Sequence, residues 1–257
     1  MTSHKKYGLI GYPLTHSFSK KYFGDKFIRE QISDCSYDLF PLEKIGQVKD
    51  LLKTKGLIGL NVTIPYKVEV IPFLDELDER TAGRIGAVNT ISVYPDGSTK
   101  GFNTDYYGFR YSLEEWMDHR GDNPADLKAL VLGNGGASKA VMTALDDLQT
   151  PYQLVSRQSG DHAISYEEVT AEVLAEHLLI VNTTPLGMSP NIDSAPALPY
   201  DALTSRHYLY DLVYNPEKTL FLKKGEEQGA ATLNGLKMLY LQAEKSWSIW
   251  NDEMLMM

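Results

Sequence analysis

The chain has one cysteine, Cys35, in 257 residues. No internal disulfide can form and no cysteine-built metal centre is available, so no metal is expected and a reducing cytoplasm is the simplest setting. The six histidines show no His-x-x-x-His pair, the spacing of a helix-borne zinc site. Positive charge is in short supply: 25 Lys and Arg stand against 34 Asp and Glu, a net charge of −9. That argues against nucleic acid or an anionic membrane as a partner, while leaving room for a local basic pocket. No apolar run approaches the roughly 20 residues of a membrane span. Residues 1–14 carry two lysines but no apolar stretch long enough for a secretory signal. Internal repeats and low-complexity segments are absent too.

What remains is ordinary globular material, 43% hydrophobic and 23% charged, enough for one large core or two medium ones. The most informative stretch is Gly59-Leu60-Asn61-Val62-Thr63-Ile64-Pro65-Tyr66-Lys67. Leu57 to Val62 reads as a strand. Ile64 is pushed to an extended conformation by the proline after it, and Pro65 suits the start of a helix over Tyr66 to Leu74. Asn61 and Thr63 then sit at the carboxyl end of a strand, where open α/β sheets bind ligands. Lys67 falls in the first helical turn, an unfavourable place for a cation and a useful one for an amine that moves protons. A solvated surface lysine is the plainer reading of that residue alone.

Around this stretch strands and helices alternate. Lys6–Ile10 is a predicted strand, followed by Thr15-His16-Ser17-Phe18-Ser19 and a helix over 20–32. Ser17 and Ser19 can cap that helix or present hydroxyls to a polar ligand. A strand over 37–40 and a helix over 45–53 precede Leu57. A short helix is expected over 76–82, a strand over 87–93 carrying Asn89, a turn at Pro95-Asp96-Gly97 and a hairpin partner over 98–102. Asp105 then opens a helix over 106–116. It serves there as a cap, or as a carboxylate able to face Lys67. The pattern predicts a mostly parallel α/β layer with a late antiparallel pair.

After a polar linker near Pro124, a second unit begins. A strand over 127–132 runs into Gly133-Asn134-Gly135-Gly136-Ala137-Ser138 and a helix over 139–148. Glycines at a strand-to-helix turn let the backbone approach a pyrophosphate, and the helix N-terminus offers N–H donors. The next strand, 152–156, ends in Ser156-Arg157-Gln158-Ser159. An arginine with hydroxyls suits a ribose 2′-phosphate, so NADP is favoured over NAD. Strands over 178–182 and 208–213 follow, then a helix over 219–225, a short strand at 232–233 and a last helix. Its stripe is Leu236, Leu239, Tyr240, Ala243, Trp247 and Trp250, with Gln242 beside it.

Taken together, these segments resemble the shikimate/quinate dehydrogenase family over nearly the whole chain. The likeness rests on Gly11-Tyr12-Pro13 through Ser19, Gly59 to Lys67, Gly86-Ala87-Val88-Asn89-Thr90, Gly101-Phe102-Asn103-Thr104-Asp105, Gly133 to Ser138, Asn182 to Met188, Tyr210 to Pro216, and Asn234-Gly235-Leu236 with Met238-Leu239 and Gln242-Ala243. It implies an α/β fold: an N-terminal, mostly parallel substrate domain (1–104 plus 236–257) and a Rossmann-like NADP domain (105–235), the C-terminal helix returning to the first. It implies reversible NADP-dependent reduction of 3-dehydroshikimate to shikimate, in the route to chorismate and the aromatic amino acids. Lys67 and Asp105 match the catalytic pair. Ser17, Ser19, Thr63, Asn89, Gln242 and Tyr214 match residues at the substrate, with Asn61 in support behind them. Gly133, Asn134, Gly135, Gly136, Ala137, Ser138, Ser156, Arg157, Thr183, Pro185, Gly187, Met188 and Leu212 fall on the cofactor side, and Gly235 and Met238 where the family approaches the nicotinamide. The chain departs from the family at Lys20, Asn134 and Lys237, and lacks a second basic residue after Arg157. These departures bear on cofactor affinity and NADP stringency.

The expected chemistry is hydride transfer at a ring carbon bearing a secondary alcohol. Lys67 takes or returns the hydroxyl proton and Asp105 orients the amine, the two titrating jointly. The expected partner is a small molecule, shikimate or 3-dehydroshikimate, with the protein a monomer or homodimer. Rival readings are an NAD-using quinate/shikimate dehydrogenase, a folate-type methylene dehydrogenase of similar plan, and a non-catalytic sensor of a polyol acid or NADP.

Overall fold

The computed structural model describes residues 4–14 and 17–251. Thr15 and His16 of the polar loop lie outside them. The chain divides into two compact units, residues 1–104 with 243–257, and residues 105–242.

In the first unit, β1 (Lys5–Gly11), α1 (Phe18–Arg29), β2 (Cys35–Pro41), α2 (Val48–Leu51), β3 (Leu57–Val62) and α3 (Tyr66–Glu69) come first. Next come β4 (Glu76–Leu77), α4 (Ala82–Ile85), β5 (Thr90–Val93) and β6 (Thr99–Phe102). They build a six-stranded sheet in the order β2-β1-β3-β5-β6-β4. β1 pairs in parallel with β2 and β3, and β6 with β4, while β3–β5 and β5–β6 are antiparallel. This is the parallel layer with a late antiparallel pair that the sequence predicts. Local detail differs at two places. The helix expected over Tyr66 to Leu74 is a single turn, α3, followed by a 3-10 turn over Ile71–Phe73, because Pro72 cannot donate to a continuing helix. The helix expected over 76–82 is a two-residue strand, β4, before α4, since Glu76 and Leu77 find a sheet partner in Lys100 and Gly101.

Residues from Ala243 onward close the first unit. Of these, residues 243–250 belong to the last helix, α9 (Leu236–Trp250). Ala243, Ile249 and Trp250 are buried with Tyr7, Phe23, Phe27 and Tyr37, and Phe23 stacks on Tyr37 at 4.6 Å. Trp250 Nε1 donates to Ile91 O at 2.9 Å. A methyl group built at Gly59 would run into that indole, which cannot move without losing its hydrogen bond. Gly59→Ala is therefore expected to destabilise the chain by about 1–3 kcal/mol through overpacking. Urea unfolding checks this, and an unchanged midpoint would show that the indole yields freely. Of the predicted stripe on α9, Tyr240 is 42% exposed, while Met238 and Ser246 are buried. The helix thus turns a face slightly rotated from the one its apolar spacing suggests.

The second unit starts with α5 (Thr104–Asp118), whose first residue still belongs to the first unit. It continues with β7 (Ala129–Leu132), α6 (Gly136–Asp147), β8 (Tyr152–Ser156), β9 (Ala163–Ser165), α7 (Ala171–Glu176), β10 (Leu179–Asn182), β11 (Tyr208–Asp211), α8 (Leu220–Glu227) and β12 (Ala231–Leu233). The sheet order is β12-β11-β10-β7-β8-β9, parallel throughout. From β7 the sheet runs outward through β10, β11 and β12 in one direction and through β8 and β9 in the other. That is the doubly wound dinucleotide-binding order, with its switch point between β7 and β10. The resemblance implies a unit boundary at 235/236; it falls at 242/243 because the first turns of α9 pack on α5. A Cβ at Gly108 would lie 2.5 Å from Met238 O and 3.3 Å from Gln242 Cβ. Among the described residues no helix is long and apolar enough to cross a membrane, and no group of three or more His, Cys, Asp and Glu is gathered to hold a metal ion.

Candidate active site

In the first unit, β3 delivers Asn61 to the sheet's carboxyl edge, and the chain turns through Thr63 into α3. Thr63 N bonds Ile10 O at 2.9 Å and Tyr66 N bonds Thr63 O at 3.0 Å, so the turn is fixed on both sides. Lys67, half-buried, is the second residue of α3, and its carbonyl accepts Val88 N at 2.7 Å. This bond ties the lysine's turn to the segment that carries Asn89. One helical turn has little macrodipole, so the dipole argument made for a longer helix contributes little here.

Behind these residues lies a connected polar network. Asn61 Oδ1 accepts from Tyr37 OH at 2.8 Å, and Tyr37 also shares a hydrogen bond with Ser19. Asn61 Nδ2 faces Ser246 Oγ at 3.0 Å, Thr90 Oγ1 at 3.2 Å and Asn89 O at 3.3 Å. The Asn61 amide is thus used within the protein. Asn89 Oδ1 accepts from Thr104 N at 2.7 Å and from Thr104 Oγ1 at 3.2 Å. That pair pins the first residue of α5 and so fixes where Asp105 starts. Asp105 is 5% exposed, in the first turn of a fifteen-residue helix, where its charge is favoured by the dipole. Ser17 is the N-cap of α1, accepting Lys20 N at 3.2 Å, and Ser19 lies within that helix.

In the second unit, the predicted cofactor loop spans the end of β7 and the start of α6. Gly133 has φ +103, and a Cβ there would crowd Thr184 Cγ2 at 2.8 Å and Thr183 Oγ1 at 3.0 Å. A Cβ at Gly135 or Gly136 would meet nothing within 4 Å. Internal packing therefore does not require those two glycines, and the space beside them is open. Gly135 is the N-cap of the twelve-residue α6 without a side-chain cap bond, and no acidic residue lies in the first turn. Exposed backbone donors and a favourable dipole fit a pyrophosphate there. The Ser138 hydroxyl is used on Gly135 O at 2.6 Å, so it closes the turn. Thr183, at the other side of the switch point, donates to Leu132 O at 2.7 Å and locks its own loop to the glycine loop.

The loop after β8 differs in detail from the sequence expectation of free hydroxyls beside an arginine. Ser156 Oγ donates to Gln158 O, and Ser159 Oγ donates to Glu168 Oε2 at 2.5 Å. Arg157 itself is exposed, with Asp161 four residues on. Further residues of the predicted set gather at the ends of β10 and β11. Gly187 has φ +83 beside Thr219, Met188 and Tyr214 are exposed, and Leu212 lies half-buried. Gly235 sits flush on the Leu212 carbonyl, where a side chain would collide with backbone. Met238 is 6% exposed and packs in the core with Phe109 and Tyr210.

Asp211, at the tip of β11, is wholly buried, and burial pushes its carboxyl up to about 6 despite three donors that work the other way. A carboxyl that binds its proton more tightly in the folded chain contributes less to stability as pH rises through that value. Asp211→Asn removes the titration. The stability of the variant relative to wild type is thus expected to rise by about 2 kcal/mol between about pH 4 and pH 7. Urea unfolding at the two pH values measures the difference; equal values at both would remove Asp211 from the linkage.

Residues 9–91 match the family model described as the shikimate dehydrogenase substrate binding domain. A relative from Clostridium beijerinckii, named shikimate dehydrogenase (NADP(+)), is 39% identical over an alignment covering 96% of this chain and 92% of its own. The chain belongs to the shikimate dehydrogenase family. Its fold is similar to a chorismate mutase/shikimate 5-dehydrogenase fusion protein from Clostridium acetobutylicum, with TM-score 0.86 and 37% identity over 97% of this chain and 92% of that one. It is similar also to a quinate dehydrogenase from Corynebacterium glutamicum solved with NAD, with TM-score 0.85 and 27% identity over 97% and 94%. The doubly wound sheet and its glycine loop are the parts of this shikimate dehydrogenase fold where a dinucleotide fits.

Sequence reasoning missed Tyr37, Thr90, Thr104 and Ser246 as members of the polar network, and Asp211 as a buried hub. Ser246 gave a signal: a hydroxyl inside an otherwise apolar stripe on α9. Tyr37 gave none, since a tyrosine in a strand is usual.

Proposed function

We propose that the protein is an NADP-dependent shikimate dehydrogenase, interconverting 3-dehydroshikimate and shikimate on the route to chorismate and the aromatic amino acids. The observation that carries this reading is the match, over nearly the full chain, to relatives named for that activity and cofactor. Lys67 gives or takes the proton of the reacting hydroxyl, and Asp105 orients the amine and the same hydroxyl. Ser17, Ser19, Thr63, Asn89, Tyr214 and Gln242 hold the carboxylate and remaining hydroxyls, with Asn61 supporting them from behind. Polar partners of this kind, once covered by the bound substrate, reject an analogue that lacks a ring hydroxyl. Gly133 to Ser138 and the α6 N-terminus hold the pyrophosphate, Arg157 the 2′-phosphate, and the loops after β10 and β11 with Gly235 the nicotinamide end. When bound, NADP supplies the hydride acceptor or donor; the chain supplies orientation and proton handling. The same reading gives a cytoplasmic enzyme, monomeric or homodimeric.

A second reading, an NAD-using quinate or mixed dehydrogenase, is favoured by the loop after β8. Arg157 stands there without a second basic neighbour, and the carboxylate of Glu168 is held against Ser159. Initial rates with shikimate and quinate, each with NADP and NAD, separate the two. Shikimate with NADP is expected to have the highest kcat/KM, and quinate with NAD in that place would reverse the assignment.

A further inference from the structure

Asp211 is the centre of a hydrogen-bonded hub that joins three backbone segments of the second unit. Its Oδ1 accepts from Asn182 Nδ2 at 2.9 Å and from Val213 N at 3.0 Å. Its Oδ2 accepts from Thr219 Oγ1 at 2.5 Å. Each partner passes the constraint on. Asn182 Oδ1 accepts from Thr184 N at 3.0 Å and Thr184 Oγ1 at 2.6 Å, which sets the direction of the chain leaving β10. Thr219 caps α8 and fills the space beside Gly187. Val213 O accepts from Gly235 N at 3.2 Å, and Gly235 lies against the Leu212 carbonyl. None of the three partners is a cation. A wholly buried carboxylate held by neutral donors alone is costly to keep for stability. What it achieves is geometric: one group sets the positions of Thr183 to Gly187, of Leu212 and Val213, and of Gly235.

We propose that Asp211 is a positioning residue for the nicotinamide end of the cofactor, acting through the three segments it ties together and touching neither cofactor nor substrate. The proposal rests on the reading of those segments as the nicotinamide side. A support of this kind works by holding backbone groups in place before the ligand arrives. The adenine end, held by the α6 N-terminus and Arg157, does not depend on the hub. The two ends of one ligand should therefore respond differently when the hub is cut.

The test uses the full chain with three substitutions: Asp211→Ala, Asp211→Asn and Thr219→Val. Asp211→Ala leaves three donors without their acceptor. It is expected to raise KM for NADP about tenfold, as a loosened polar network does, with KM for shikimate within about twofold of wild type. Asp211→Asn keeps an oxygen for Asn182 and Val213 and is expected to restore most of the loss. Thr219→Val cuts one branch and is expected to fall between them. Adenosine 2′,5′-bisphosphate, which carries the adenine end without nicotinamide, is the discriminating probe. Its binding, followed by calorimetry, is expected to stay within about twofold of wild type in every variant. Equal weakening of NADP and the bisphosphate would mean general damage and would overturn the proposal, as would an unchanged KM for NADP in a folded Asp211→Ala chain. If the alanine variant does not fold, the asparagine and valine variants decide by the same two readouts. Wild-type protein that neither reduces NADP with shikimate nor binds the bisphosphate would instead strike the functional reading itself.

Discussion

Replacing Lys67 with alanine is expected to lower kcat for shikimate oxidation by at least ~10², with only a modest change in the KM for shikimate. As the hydride leaves the ring carbon, the hydroxyl proton must leave with it, and the lysine amine is the group assigned to take it. Loss of a positioned acid–base group falls mainly on the chemical step, since the transition state needs it more than the bound substrate does. The substitution is gentle on the fold. Lys67 is half-buried, and alanine keeps its carbonyl bond to Val88. Thermal unfolding near that of wild type would accompany the rate loss. A kcat within about threefold of wild type would take lysine out of the proton transfer.

The second large effect is expected at Asp105. Asp105→Asn should reduce kcat by a similar ~10² or more, while thermal stability stays close to wild type. Asparagine has the same size, and since α5 begins at Thr104 residue 105 is in the first turn and is not the cap, so a purely structural Asp105 would lose only the dipole interaction of its charge, about 0.3–1 kcal/mol. It lacks the charge needed to orient an ammonium group and to stabilise it once protonated. The position of residue 105 is set independently of its side chain, because Thr104 is held by Asn89 through both N–H and hydroxyl. The variant therefore separates charge from placement. Measuring kcat and unfolding on the same preparation decides between the two: an unaltered rate would reduce Asp105 to a helix-start residue.

Much of this architecture is legible in the sequence, and the exceptions follow a pattern. β3 and β8 lie within the bounds their apolar runs and flanking glycine or polar residues predict. The glycine turn into α6 was equally readable, because backbone geometry there demands particular residues. β9, with only Ala163 to Ser165, gave no pattern to detect. Residues 76–82 read locally as helix, whereas the strand character of β4 comes from pairing with Lys100 and Gly101, far along the chain. The Tyr66 helix was overextended where Pro72 interrupts it. The sheet order is not written in local sequence either; it follows from crossover rules applied to strands once they exist.

The candidate site divides the same way. Residues proposed to present chemistry, such as Lys67, Asp105 and the glycine loop, stand in recognisable runs. Residues that hold them do not. Thr90, Ser246 and Tyr37 meet Asn61 from three different elements, and no window of the chain contains that meeting. The loop after β8 shows a further limit. Ser156 and Ser159 read as hydroxyls for a phosphate, but each already donates within the protein.

The most direct measurement of the central claim is transfer of label from shikimate to cofactor. Shikimate carrying deuterium on the alcohol carbon is mixed with the protein and NADP, and the reduced nicotinamide is collected. NADPH bearing the deuterium is expected, together with 3-dehydroshikimate. Absence of NADPH from protein that binds both ligands, or NADPH without the label, would contradict it.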